Sequence, residues 1–252
     1  MRTEIVSNLS FEDYRASEGL SKHALDTFAV APAMYLHKQA NPTSPSRAMV
    51  MGTLIHAAAL EGEILYAAGP KVDRRTKAGK EEWENFCIEN AGKEIVTQEE
   101  AEIIVGVRKA VQPLLERHCK GSKLVEQSMY WGRGGVQCKG RPDLICTING
   151  EPAIVDLKTT QDITSFDKKF YHFKYDIQAA WYAHGAGKAL GVFPEFYFLV
   201  VDTEAPYLSQ LIHTSDRVLE QADMRIDDLL VKYAQCQATG NFTEGLPELR
   251  SI

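Results

Sequence analysis

Gly140-Arg-Pro-Asp-Leu-Ile-Cys-Thr-Ile-Asn-Gly-Glu-Pro-Ala-Ile-Val-Asp-Leu-Lys158 is the stretch that decides how this chain folds. Asn149-Gly150 is a two-residue type I′ turn signal set between apolar runs. With that pair as the loop, Ile148 faces Glu151, and the pairing carried outward sets Asp143 opposite Asp156. The two carboxylates then share a face, with Cβ atoms ~5 Å apart. Lys158 lies two positions further on and shares it. Leu144, Cys146, Ile148, Ala153, Val155 and Leu157 fill the other face, and Ile145 and Ile154 add apolar weight to the carboxylate face. A strand pair apolar on both faces is expected to be central and buried, not a solvated surface hairpin.

Two anions ~5 Å apart repel by roughly 3 kcal/mol at an effective dielectric of about 20. Either one carboxylate holds a proton or a positive charge sits between them. Hard divalent ions such as Mg²⁺ prefer carboxylate oxygens. A lysine beside such an ion suits hydrolysis of an anionic ester. It can orient or deprotonate the attacking water, or stabilise developing negative charge.

The chain has 252 residues, 44% hydrophobic and 25% charged, as an ordinary globule does. That length suits one large domain, residues 1–252, burying roughly 70–75% of its unfolded surface. The cysteines Cys87, Cys119, Cys138, Cys146 and Cys236 are scattered, with no CxxC pair. Neither a zinc ribbon nor a disulfide framework is suggested, and a reducing cytoplasm is the simplest compartment. No stretch approaches the ~20 apolar residues of a membrane span, and the N-terminus lacks the apolar core of a signal peptide. The net charge of −6 argues against a general polyanion binder but leaves room for a local basic channel.

Residues 1–19 read as an irregular lead-in. Ser21 caps a helix over 22–30, and Pro32 restarts one over 33–39. Residues 47–68 read as mostly helical, with a break at Gly62. A polar loop over 69–79 precedes a helix near 80–91. Thr97-Gln-Glu-Glu100 is a capping box opening a helix to about Cys119. Strands are expected near 123–131, 135–139, 142–148 and 152–158, then a loop or short helix over 159–174. A helix over 176–189, strands near 194–201 and 207–213, and a C-terminal helix over 215–240 complete an α/β mixed central sheet flanked by helices.

Several other residues could complete a site. His56 lies among small residues on a helix, either as a core histidine or as a further ligand for a divalent ion. Glu61 is either a surface residue or a neighbour supporting that site. Gln178 and Tyr182, one helical turn apart, project from one face. They either pack on the sheet or reach a phosphate. Lys71-Val-Asp-Arg-Arg-Thr-Lys-Ala-Gly-Lys80 concentrates positive charge in a loop, with Arg74, Arg75, Lys77 and Lys80 as DNA-contact candidates. A second cluster, Lys168, Lys169 and Lys174 with Tyr171, His172 and Phe173 interleaved, reads more simply as a solvated segment.

Gly52…His56, Gly140…Asp143, Asp156-Leu-Lys158 and Gln178…Tyr182 occur in that order. Together they resemble the RecB-like branch of the PD-(D/E)XK nuclease superfamily, with its restriction-endonuclease-like sheet. Leu20-Ser-Lys-His-Ala-Leu, Pro32-Ala-Met-Tyr35 and the Asp73-Arg-Arg-Thr-Lys loop before Trp83 are most similar to nuclease domains of the exonuclease VIII (RecE) type. The resemblance implies a Mg²⁺- or Mn²⁺-dependent exonuclease that degrades linear double-stranded DNA, 5′ to 3′, leaving 3′ single strands. It further implies a ring-shaped homo-oligomer and a single-strand annealing partner in prophage recombination. By the same resemblance His56, Asp143, Asp156 and the Leu157 carbonyl hold metal. Lys158 activates or orients water, and Gln178 and Tyr182 position the phosphate or support the lysine. Some relatives hold an iron–sulfur cluster. Ala31 stands here where a cysteine often precedes the helical histidine, and Cys236 has no companions, so no cluster is expected. The helical N-terminal extension of full-length exonuclease VIII proteins has no counterpart, which implies a compact form or an isolated domain. A non-catalytic DNA-end-binding module and an endonuclease on the same fold stay open as alternatives.

Overall fold

A computed structural model describes residues 1–246. Before the hairpin run β1 (Glu4–Val6), α1 (Phe11–Ala16), α2 (Lys22–Val30), α3 (Pro32–Ala40), α4 (Arg47–His56), β2 (Tyr66–Ala68) and α5 (Lys77–Glu89). Then come β3 (Glu94–Val96), α6 (Gln98–His118), β4 (Lys120–Val125), β5 (Ser128–Arg133) and β6 (Val136–Gly140). The hairpin is β7 (Leu144–Ile148) and β8 (Glu151–Thr160), followed by α7 (Phe166–Phe170), α8 (Tyr175–Leu190), β9 (Glu195–Asp202), β10 (Ser209–Thr214) and α9 (Asp216–Thr239).

The hairpin has the register expected of it: Ile148 faces Glu151 and Leu144 faces Val155. Asn149 and Gly150 have φ of 53° and 90°, both positive as a type I′ turn requires. The hairpin lies inside a five-stranded sheet of order β10-β9-β8-β7-β4, in which β8 and β9 are parallel and the other pairs antiparallel. This is the mixed α/β sheet flanked by helices that the sequence predicts.

Each face of the sheet has its own core. Ile145, Ile154, Phe196, Phe198 and Val200 pack against α8 and α9 through Ala179, Ala180, Ala183, Ile226 and Leu230. Leu144, Cys146, Val155, Leu157, Leu199 and Val201 pack against α6 through Ile104, Val107, Val111 and Leu115, and against Leu54, Ile55 and Ala58. The small residues of α8 let it approach closely, and Trp131 from a second sheet, β1-β5-β6, fills the space beside Gly185.

The local expectations hold where capping chemistry is explicit. Ser21 accepts from the Ala24 N–H, and Thr97 and Glu100 form a reciprocal capping box. They fail in four places. Residues 1–19 are not irregular: β1 pairs with β5, and α1 ends where the Lys139 ammonium donates to the carbonyls of Tyr14, Arg15 and Ser17. A buried cation needs acceptors, and the last turn of a helix has free ones. The stretch expected to be mostly helical over 47–68 breaks at Gly62 as expected but does not resume as helix beyond it. A π-helical turn over Ala57–Glu61 runs into Gly62 at φ 76°, and β2 then pairs with β3. The helix expected near 80 begins at Lys77, because Thr76 caps the Gly79 N–H. The strand expected over 123–131 is two strands in two sheets, broken at Glu126, which has φ 50°.

Candidate active site

The acidic cluster stands at the open end of the β7–β8 hairpin. Asp143 precedes β7, and its Oδ2 accepts the Leu157 N–H at 2.7 Å. This side-chain bond occupies a backbone donor of β8 just beyond the last paired residue of β7. It fixes the carboxylate to the strand that carries Asp156 and Lys158. Asp156 is fully buried, and its two oxygens have separate partners. Gln178 Nε2 donates to Oδ1 at 2.9 Å, and Lys158 Nζ lies 2.6 Å from Oδ2. His56 reaches the cluster from the last turn of α4, with Nδ1 3.3 Å from Asp143 Oδ2. The structure therefore brings His56, Asp143, Asp156, Leu157, Lys158 and Gln178 together from four separate segments.

Tyr182 follows Gln178 by one turn of α8 and covers the end of β6. A Cβ built on Gly140 would come within 3.0 Å of the Tyr182 ring and 3.1 Å of Trp131. That is the physical content of the glycine in Gly140…Asp143: the ring lies where a side chain would stand. Burial, then the charges of Tyr14, Asp156 and Asp143, holds the Tyr182 phenol well above its ordinary range. It is a hydrogen-bond donor at any working pH.

Sequence reasoning missed Glu126. At the break between β4 and β5 its carboxylate joins His56 and Asp143, and one donor atom from each of the three lies within 4.8 Å of the others. The expected ligands were His56, Asp143, Asp156 and the Leu157 carbonyl; in the structure Glu126 also lies beside His56 and Asp143, while Asp156 is engaged by Lys158 and Gln178. The signal was a polar pair, Glu126-Gln127, interrupting the apolar runs Leu124-Val125 and Met129-Tyr130-Trp131. Arg141 was missed as well. Its Nε is 3.1 Å from Glu126 Oε2, and it is anchored by the Leu9 carbonyl from the N-terminal segment.

The electrostatics of the cluster are those of crowded carboxylates. Burial and the charge of Asp143 push Glu126 up to about 8, and burial and the charge of Asp156 push Asp143 up to about 6. Glu61, the last residue of the π-helical turn, is solvent-exposed yet also raised, by partial burial and by Glu63. Burial would lower Lys158, but Asp156 and Asp143 outweigh it, and its ammonium is held above the ordinary value. Crowded carboxylates beside an imidazole nitrogen fit a divalent ion of the Mg²⁺ or Mn²⁺ kind. Cys236 is half-buried and none of the cysteines joins this group.

Arg74, Arg75, Lys77 and Lys80 are exposed at the start of α5 and make no hydrogen bond or ion pair to the cluster among the described residues. Arg75 is paired with Asp73 at 2.9 Å, and the Arg74 guanidinium lies 4.4 Å from the Trp83 ring centre. No helix among the described residues is long and apolar enough to cross a membrane.

Residues 21–244 match the family model described as "PDDEXK-like domain of unknown function (DUF3799)". No curated protein matches the chain. Among solved structures, one described as "Putative exonuclease" from Eubacterium rectale is similar with a TM-score of 0.67 at 19% identity, covering 98% of this chain and 92% of that one. At that identity the likeness is one of fold. A structure of SSO0001 (TM-score 0.34, 14% identity, 77% and 88% covered) and one of VC1899 from Vibrio cholerae (0.28, 11%, 96% and 60%) are too distant to argue from.

Proposed function

Because this chain belongs to the PDDEXK-like domain family DUF3799 and has the nuclease fold, we propose that it is a divalent-metal-dependent exodeoxyribonuclease acting on linear duplex DNA. One observation carries the reading. A lysine ion-paired to a buried aspartate at 2.6 Å lies beside His56, Glu126 and Asp143, whose donor atoms converge. His56, Glu126 and Asp143 would hold the ion, with Asp156 adjoining. When bound, the ion supplies positive charge to phosphoryl oxygens and eases ionisation of water.

The chain's own groups divide the remaining work. Gln178 fixes the Asp156 carboxylate, which in turn orients the Lys158 ammonium. Lys158, charged at neutral pH, donates to the attacking water or to the charge developing on the phosphate. Tyr182 stays protonated and offers a hydroxyl donor. Arg141 sets the Glu126 carboxylate. The basic loop bearing Arg74, Arg75, Lys77 and Lys80 would meet the DNA backbone away from the chemistry. Likeness to exonuclease VIII adds 5′-to-3′ direction, a ring-shaped oligomer, a single-strand annealing partner and a cytoplasmic place of work.

The test is digestion of a linear duplex labelled separately at each 5′ and each 3′ end, with covalently closed circular DNA as control. The expected result is Mg²⁺- or Mn²⁺-dependent release from the 5′ ends of linear DNA, no cut in the circle, and no activity in Asp156→Ala. Cutting of the circle would make the protein an endonuclease. Binding of linear DNA without release of nucleotides would make it an end-binding module.

A further inference from the structure

We propose that residues 168–174, beside the active site, bind the unpaired end of a DNA strand, with Tyr171 and Phe173 as stacking faces for its bases. This rests on the nuclease reading above and deepens it by naming the state of DNA that the site receives. The segment comprises the end of α7 and the turn 171–174 that joins it to α8. Lys174 turns the chain with φ 55°, and its Nζ is tied to Asp26, at 3.3 Å from the carbonyl and 3.7 Å from the carboxylate. On this frame Tyr171 is 59% exposed and Phe173 49% exposed. Single exposed aromatics are common, but two within three residues on a fixed turn are not explained by packing.

The rings continue inward to the catalytic lysine. Phe173 lies 5.6 Å from Tyr175 between ring centres, tilted by 37°, and Lys158 Nζ lies 5.1 Å from the Tyr175 ring centre. Phe170 supports Tyr171 from below at 5.2 Å. A base stacked on Phe173 would therefore be a near neighbour of a phosphate at Lys158. Charge agrees with this. Lys168 and Lys169 have no ion pair among the described residues. The Asp162 carboxylate nearby accepts from the N–H and hydroxyl of Thr164 and, with Asp167, is the opposing charge to these two lysines. Lysines that track a backbone beside aromatic faces are the chemistry of single-strand binding. Within duplex DNA the paired bases already stack on their neighbours, so only the outer face of the terminal pair is open to an aromatic ring.

The full chain, with chelator present to prevent turnover, is titrated with fluorescent oligodeoxythymidylate and with a blunt duplex at low salt. Tyr171→Ala/Phe173→Ala should weaken oligonucleotide binding by about tenfold per lost stack and duplex binding far less. Tyr171→Leu/Phe173→Leu keeps apolar contact with Phe170 and Tyr175 and should lose the same affinity with an unchanged thermal midpoint. Failure of the wild-type chain to bind the oligonucleotide, or unchanged affinity in the leucine variant, would overturn the proposal. A surface built for a protein partner gives that second result. Digestion of labelled duplex is read separately, so failure of the nuclease reading is distinguishable from failure of the stacking surface.

Discussion

The acidic cluster and the basic loop are both dense in charge, yet their physics is opposite. In the loop, Arg75 pairs with Asp73 and Lys71 with Glu99 in open solvent, where ion pairs contribute little to stability. In the cluster, Asp143 and Asp156 are buried, and burial with the neighbouring negative charge raises the carboxyls of Glu126 and Asp143 above the ordinary range. The difference teaches that a count of charges does not locate a reaction centre. What distinguishes the centre is charge that the fold has removed from water and left without a full complement of counter-charge.

The largest expected effect is at Lys158. Lys158→Ala should cut the rate of DNA cleavage by about 10²- to 10⁴-fold with little loss of DNA affinity, read by single-turnover digestion beside an end-binding assay. An equal loss in both would make Lys158 a phosphate tether like the loop lysines.

A smaller effect, and one readable without DNA, is expected at Glu126. Its folded pKa of about 8 lies above the usual carboxylate range. The folded state thus binds the proton more tightly than the unfolded one, and that contribution to stability is lost as pH rises toward 8. In chelator, the thermal midpoint of the wild type should fall between about pH 6 and pH 8, and Glu126→Gln should flatten that fall. Equal slopes for the two proteins would show that Glu126 ionises freely. Added Mg²⁺ or Mn²⁺ should raise the wild-type midpoint more at pH 8 than at pH 6, because the ion replaces protons.

The smallest effect should come from the loop. Replacing Arg74, Arg75, Lys77 and Lys80 together by alanine should weaken duplex binding evenly across sequences and reduce its salt dependence, with the thermal midpoint nearly unchanged. A collapse of activity greater than that of Lys158→Ala would reverse the comparison between the two regions.

The hairpin was legible because its turn residues and its two apolar faces point to one register, and a slip by one residue would bury the wrong set. Glu126 was not legible. The polar pair Glu126-Gln127 was its one mark, but two polar residues do not announce a positive φ, so 123–131 read as one strand and a site carboxylate stood at its break. The strands β1, β2 and β3 are three residues each, too short for any period to show. Each is set by the partner it meets. The basic loop was visible as charge, but the pairing of Arg75 with Asp73 follows from a turn geometry that spacing does not announce.

The position of β4 has a consequence for self-association. It is an outer strand of the five-stranded sheet, its register shifts between Lys120 and Leu124, and Lys120 and Lys123 are exposed along it. Another chain adding a strand there would have to straighten the irregular stretch and strip water from two ammonium groups, which is how natural sheets discourage edge-to-edge growth. Strand addition by a second chain at the β4 margin, which ends at Glu126, is therefore disfavoured, and the approach to the acidic cluster from that side stays open.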